Sequence, residues 1–249
     1  MPTFATPEPI SARVDAGAGS ISLIATDRTH TVVEVRPRDP NRQADVRAAE
    51  QARVSYANGQ LTVAPAKFGF LGHRMGAVDI VVELPSQSRI RAAVASADVR
   101  ADGEFADFDF MSASGSLVAQ TVTGRLKAAT SSGGADIGEL DGEVKFQAAS
   151  GSLSIDRLRG RVKSQTASGS VRIAAAVGGA VAAYTSSGAV EIGIPEGSAA
   201  RLDIMTGSGL ITNRLEPSGG PEDGDETLIV KVRTGSGDVD IHRAVATLT

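Results

Sequence analysis

From Ala97 onward, apolar and polar positions alternate with period two inside a longer period of nine, in blocks that open at Gly115, Gly124, Gly133, Gly142, Gly151, Gly160 and Gly169. The third and fifth residues of successive blocks are Leu117/Ala119, Leu126/Ala128, Ala135/Ile137, Val144/Phe146, Leu153/Ile155, Val162/Ser164 and Val171/Ile173. Period-two spacing puts each pair on one face of a strand. Alternate blocks add an apolar eighth residue, Val122, Leu140 and Leu158, placed to turn inward at a corner. Each block has room for a strand of about five residues and a tight turn, where glycine is expected to supply a positive φ. Val99/Ala101 and Phe108/Phe110 occupy the same inward positions, so the regular region is expected to begin before its first glycine.

Pairs of blocks form a larger unit. Ser114-Gly115, Ser132-Gly133, Ser150-Gly151, Ser168-Gly169 and Ser187-Gly188 recur at glycine spacings of 18, 18, 18 and 19 residues. Two strands per repeat, each stacked on its equivalent about 4.8 Å away, predict an all-β fold: a single-stranded parallel β-solenoid with about 18 residues and two main strands per coil. Interior ladders follow, Leu117, Ala135, Leu153 and Val171 on one wall and Leu126, Val144 and Val162 on the other. One coil cannot bury its own apolar face, whereas stacked coils can. Ala119, Ala128 and Ser164 keep the interior narrow, and the glycine-bounded blocks exclude helices of ordinary length.

The rest of the chain is less regular. Ile10-Ser-Ala-Arg-Val-Asp, Gly19-Ser-Ile-Ser-Leu-Ile-Ala and Thr31-Val-Val-Glu-Val-Arg read as strands, with turns at Ala16 to Gly19 and Asp27 to His30. Asp45 to Arg53 is the one short helical stretch near the N-terminus, with Asp45 placed to cap it and oppose its dipole. Asn58-Gly59 predicts a hairpin, Val78 to Pro85 a strand, and Ile90 to Val94 another. Beyond Gly197 the grid loosens. Thr206-Gly-Ser-Gly209 and Thr234-Gly-Ser-Gly237 restore the turn around an acidic, proline- and glycine-rich insertion at 216–226. Leu228 to Arg233 and Asp238 to Ile241 are the final strands. A single domain over 1–249 is expected, with strands, helix and hairpin at 1–96 that begin or cap the solenoid, regular coils at 97–197 and irregular coils at 198–249.

Composition agrees with a thin interior: 28 glycines, no cysteine, no tryptophan, two tyrosines and a formal charge of −4 in 249 residues. Without cysteine there is neither a disulfide framework nor a thiolate metal site. The first residues have no basic or apolar leader segment, and no apolar run approaches a membrane span. A cytoplasmic location is expected, with the cell surface reached only by a non-classical route.

Pro7-Glu-Pro9-Ile10, Val33-Glu-Val-Arg-Pro37, the Asp45 to Gln51 helix followed by Tyr56-Ala-Asn-Gly-Gln-Leu61, Val82-Glu-Leu-Pro85 and the recurring Ser-Gly turns occur in a telling order. In that order the chain resembles the bacterial "putative adhesin" family of domains of unknown function, the actinobacterial branch in particular. The resemblance covers essentially the whole chain. It implies a β-solenoid, no catalytic residues and display at a surface.

Little points to chemistry. His30, His73 and His242 lie in unrelated segments, and Gly133-Gly-Ala-Asp-Ile-Gly departs from the calcium-binding nonapeptide, so neither metal nor cofactor is expected. Gly207-Ser-Gly209 and Gly235-Ser-Gly237 lack the third glycine of a dinucleotide fingerprint. Asp107/Asp109 and Asp238/Asp240 each set two carboxylates on one strand face, the only basis for the alternative of a carbohydrate-active enzyme. The sharper feature is basic. Lys127, Lys145 and Lys163 share one grid position, with Arg125 and Arg161 two residues before the first and last and Glu143 between. Such a stripe suits an anionic polymer or carbohydrate; lysines that keep an exposed sheet soluble are the plainer reading. Phe68 and Phe70 in a glycine-broken loop are expected to fold over the solenoid or to meet a partner. The function expected is that of a non-enzymatic scaffold or interaction module, with another protein or a second copy as first partner and nucleic acid disfavoured by net acidity and few aromatics.

Overall fold

The structure is a computed structural model and describes residues 1–65, 76–216 and 226–244. It divides into two compact units, Met1–Thr123 and Gly124–Thr249.

Unit 1 contains β1 (Thr3–Ala5), β2 (Ser11–Ala16), β3 (Ala18–Thr26), β4 (His30–Pro37), α1 (Gln43–Glu50), β5 (Arg53–Ala57), β6 (Gln60–Ala64), β7 (Ala77–Pro85), β8 (Ser88–Val94), β9 (Asp98–Ser112) and β10 (Leu117–Val122). One wall runs β5, β6, β2, β8 and the second half of β9. The other runs β1, β4, β7, β3, the first half of β9 and β10. Pairing is parallel except at the outer strands, where β1 with β4, β4 with β7 and β5 with β6 are antiparallel. The hairpin forms at Asn58 and Gly59, both at positive φ (51° and 74°). Between the walls lie Val14, Leu23, Val82, Leu84 and Phe110, with Phe105 and Phe108 edge-on at 5.8 Å.

Two local expectations change. The chain passes from β2 to β3 across Gly17 alone, with Gly19 at φ 116°, so a corner replaces the expected turn. Asp45 does not cap α1: the N-cap is Arg42, without a side-chain bond. Asp45 is instead buried, accepts a hydrogen bond from the Ala77 amide at 3.0 Å and faces Arg42 at 3.5 Å, which ties the helix to the start of β7.

Unit 2 contains β11 (Arg125–Thr130), β12 (Ala135–Ala148), β13 (Leu153–Thr166), β14 (Val171–Thr185), β15 (Val190–Ile194), β16 (Ser198–Thr206), β17 (Ile211–Asn213), β18 (Glu226–Thr234) and β19 (Val239–Arg243). Its strands pair in parallel among the described residues, and the 18-residue register holds: Ala135 sits on Leu153 and Leu153 on Val171, Leu126 on Val144 and Val144 on Val162. These ladder residues are buried, Ser164 among them. The 19-residue interval is a bulge: Leu158 pairs with Ala176 but Arg159 with Gly178, leaving Val177 unmatched, so Gly179 rather than Gly178 stacks on Gly160.

Stacking departs from chain order at the end of unit 2. β18 lies between β14 and β16, and β19 between β15 and β17. Among the described residues β16 and β17 are therefore the edge strands here, and the later segment is wedged inside them.

The glycines serve two purposes. At the half-period positions Gly142 and Gly160 φ is positive, as expected; Gly124 is not among the positive-φ residues, and beyond the bulge Gly179 takes the positive φ in place of Gly178. The Ser-Gly glycines are not among the positive-φ residues; their backbones touch. A Cβ on Gly169 would lie 1.7 Å from the Gly151 carbonyl oxygen, and one on Gly151 1.9 Å from that of Gly133. Most corners of unit 2 carry a threonine hydroxyl three residues before the glycine, whereas Ala148 holds that place before Gly151. Thr130, Thr185, Thr206 and Thr234 each accept the amide of Gly133, Gly188, Gly209 and Gly237 at 2.9–3.0 Å. Thr185 also donates to Gly169 O in the neighbouring coil at 3.3 Å.

Gly169→Ala is expected to destabilise by about 3 kcal/mol, because backbone must move to admit the methyl group. Gly59→Ala, at positive φ but with nothing within 4 Å of the new carbon, is expected to cost only about 1 kcal/mol. Denaturant unfolding of the two variants checks the order.

Candidate functional site

In a strand with one face buried, alternate residues must face outward, and register decides which of them meet. On the wall of unit 2 that holds the Leu126, Val144 and Val162 ladder, Lys127 pairs with Lys145 and Lys145 with Lys163, while Arg125 pairs with Glu143 and Glu143 with Arg161. All six are exposed. Like charges thus stand on strands about 4.8 Å apart, a repulsive arrangement unless an anion or water relieves it.

The row continues where chain order hides it. Lys163 pairs with Ala182, Ala182 with Lys231 and Lys231 with Asp203; Arg161 leads through Ala180 and Ile229 to Arg201. Tyr184, Arg233 and Met205 form the next outward row. Eight cationic side chains (Arg125, Lys127, Lys145, Arg161, Lys163, Arg201, Lys231, Arg233) therefore share this face with two carboxylates, Glu143 and Asp203. Lys231, Arg201 and Arg233 escaped the sequence reading because the grid position they occupy belongs to strands stacked out of order. Arg233 is anchored, donating to Asp203 Oδ2 at 2.7 Å and to the Asp203 and Val232 carbonyls at 2.9 Å. That bond holds the Asp203 carboxyl below its ordinary range. Beside this row, Gln165, Tyr184, Met205, Arg233 and the threonine corners line a shallow groove of about 720 Å³.

The opposite wall differs in sign. Asp136, Asp156, Glu191, Asp238 and Asp240 belong to it, with Arg172 paired to Glu191 at 3.5 Å and Arg214 to Asp240 at 3.3 Å. Although its side chain is exposed, partial loss of hydration first, and then the Asp156 charge, push the Asp136 carboxyl above its ordinary value.

The carboxylate pairs lie beside basic or amide groups. Asp107 and Asp109 face Arg89 and Arg91 at 3.8 and 3.9 Å, and Asp238 accepts the Leu210 amide at 2.8 Å. His30 contacts Thr29 and His242 lies 3.8 Å from Asp240. His73, with Phe68 and Phe70, falls outside the described residues. Among the described residues no three His, Cys, Asp or Glu side chains are grouped to hold a metal, and no helix is long and apolar enough to cross a membrane.

The stacked coils, with their interior ladders, match the Toastrack DUF4097 family over residues 13–244. The chain belongs to that family. No curated protein matches it. Among solved structures it is similar to a putative adhesin from Bacteroides fragilis at 10% identity and a TM-score of 0.51, covering 97% of this chain and 95% of that one. A putative adhesin from Parabacteroides distasonis has 13% identity and a TM-score of 0.49, with 96% and 95% covered. The first of these shares the β-solenoid fold of this Toastrack chain.

Because the folded state holds Asp136 above its ordinary value, the ionised group costs stability at neutral pH, and the cost disappears as pH falls below both values. Asp136→Asn is expected to raise the melting temperature at pH 7, with the gain vanishing by about pH 3, as followed by thermal melts across that range.

Proposed function

We propose that this Toastrack chain is a non-catalytic, adhesin-like binding module whose basic wall in unit 2 holds an anionic polymer, such as a glycan bearing sulfate, phosphate or carboxylate groups. The observation that supports this reading is the gathering of eight cations and two carboxylates on one sheet face of a chain whose formal charge is −4. A rigid sheet spaces its cations without ordering of the backbone, so a repeating polyanion meets several at once. One aromatic side chain, Tyr184, borders the face, which disfavours nucleic acid, since single strands bind through stacking on aromatic platforms. The adhesin description of the similar proteins accords with a surface ligand of this kind. The engagement of Asp107, Asp109 and Asp240 with arginines, and of Asp238 with a backbone amide, supports the non-catalytic part of the reading.

Heparin and linear polyphosphate serve as probes in titration calorimetry. Both are expected to bind, and to weaken steeply from about 50 to 200 mM salt. Lys145→Glu is expected to cost about tenfold, or 1.4 kcal/mol, and Lys231→Glu a similar amount, while Arg172→Glu on the other wall changes little. Binding no stronger than to an uncharged glycan, or equal losses from all three variants, would overturn the reading.

A further inference from the structure

The wedging of β18 and β19 leaves β16 as an open edge. It is nine residues long, pairs with β18 on one side and is unpaired on the other among the described residues. Natural sheets seldom leave such an edge unguarded, because its free amides and carbonyls are a template for another strand. The apolar ladders also surface here. Leu202 and Ile204 are only half-buried, whereas their stacked partners Val230 and Val232 are fully buried. Met205, Leu210 and Ile211 are 60%, 68% and 43% exposed, and Ile211 ends the ladder that runs through Val171, Val190 and Val239. The outer strands of unit 1 look different: β1 and β5 have three and five residues, and Phe4 packs on Tyr56 at 5.4 Å.

We propose that β16 pairs antiparallel with β16 of a second copy of this chain, in the register that sets Leu202 opposite Leu202 of that copy. Leu202 is the midpoint of Ser198–Thr206, so this register uses every residue of the strand. It is also matched in chemistry. On the outward face Arg201 meets Asp203 twice, once in each direction, and Ala199 meets Met205. On the inward face Ala200 meets Ile204 around the central leucine pair. Shifting the centre to residue 201 sets Arg201 against itself, and to residue 203 sets Asp203 against itself; like charges directly opposed are unfavourable. Asp203 is already held ionised by Arg233, so each junction becomes an arginine–aspartate–arginine cluster. The contact is isologous and closes on itself, giving a dimer and not a filament. The basic wall continues across the two-fold, which doubles the length of the basic face. This inference goes beyond the polyanion reading and does not depend on it.

The test is sedimentation equilibrium of the full chain over a concentration series, with thermal melts to confirm that each variant is folded. The wild type is expected to show a monomer–dimer equilibrium. Arg201→Asp and Asp203→Arg each place like charges opposite one another twice and are expected to weaken self-association at least tenfold. Mixed in equal amounts, the two variants are expected to form a heterodimer, because each supplies the charge that the other lacks. Lys145→Glu, which is expected to impair polyanion binding, should leave the dimer intact, so failure of one proposal is separable from failure of the other. A wild type that stays monomeric, a dimer unchanged by both edge variants, filaments, or a mixture that associates no better than its components would each overturn the proposal.

Discussion

The structure depends on how closely the coils approach at the Ser-Gly corners. Strands in a sheet lie about 4.8 Å apart, and a chain that turns at the same place in every coil brings the turns as close as the strands. The carbonyl of one corner then occupies the space where the next would carry its Cβ, 1.7–2.0 Å from that position at Gly151, Gly169 and Gly188. Glycine is required by this contact. Serine and threonine follow from the same crowding, since a corner with buried amides must satisfy them locally. At several corners a hydroxyl three residues earlier does so, as Thr130 and Thr185 do, and Thr185 reaches the neighbouring coil as well.

This constraint explains how much of the fold was legible in the sequence. Wherever the corner recurs at 18 residues, inward positions followed by counting, down to buried Ser164 and the eighth-position Val122, Leu140 and Leu158. Even the one 19-residue interval proved to be a local bulge at Val177 that leaves the ladder intact. What counting could not supply was the cause: a glycine demanded by a neighbour's carbonyl and one demanded by positive φ look alike in a sequence, yet Gly169 is the first kind and Gly160 both. Asp45 shows the same limit. Its position suits a cap, but its partner is an amide 32 residues away, which local pattern does not reveal.

Stack order was the other hidden quantity. A periodic sequence reveals that coils stack and not which coil sits outermost. In unit 1 β3 lies between β7 and β9, and in unit 2 β18 and β19 lie inside β16 and β17. The candidate site inherits this. Arg125, Lys127, Lys145, Arg161 and Lys163 could be aligned from spacing because their strands stack in chain order, whereas Lys231, Arg201 and Arg233 join them only through the wedge. The same wedge decides which strand is an edge, and hence which residues are offered to a second copy.

The wedged order is therefore the claim to test most directly, and a chain without cysteine allows it with two engineered pairs. Residues 182 and 231 are register neighbours, at a spacing of about 4.8 Å that a disulfide bridges, while 182 and 203 are separated by a further strand, beyond its reach of about 7 Å. Under mild oxidation of the monomeric fraction, Ala182→Cys/Lys231→Cys should form an intrachain disulfide and Ala182→Cys/Asp203→Cys should remain reduced. The opposite outcome would mean that β16 stacks on β14 in chain order, and both the extended basic face and the β16 edge would be lost with it.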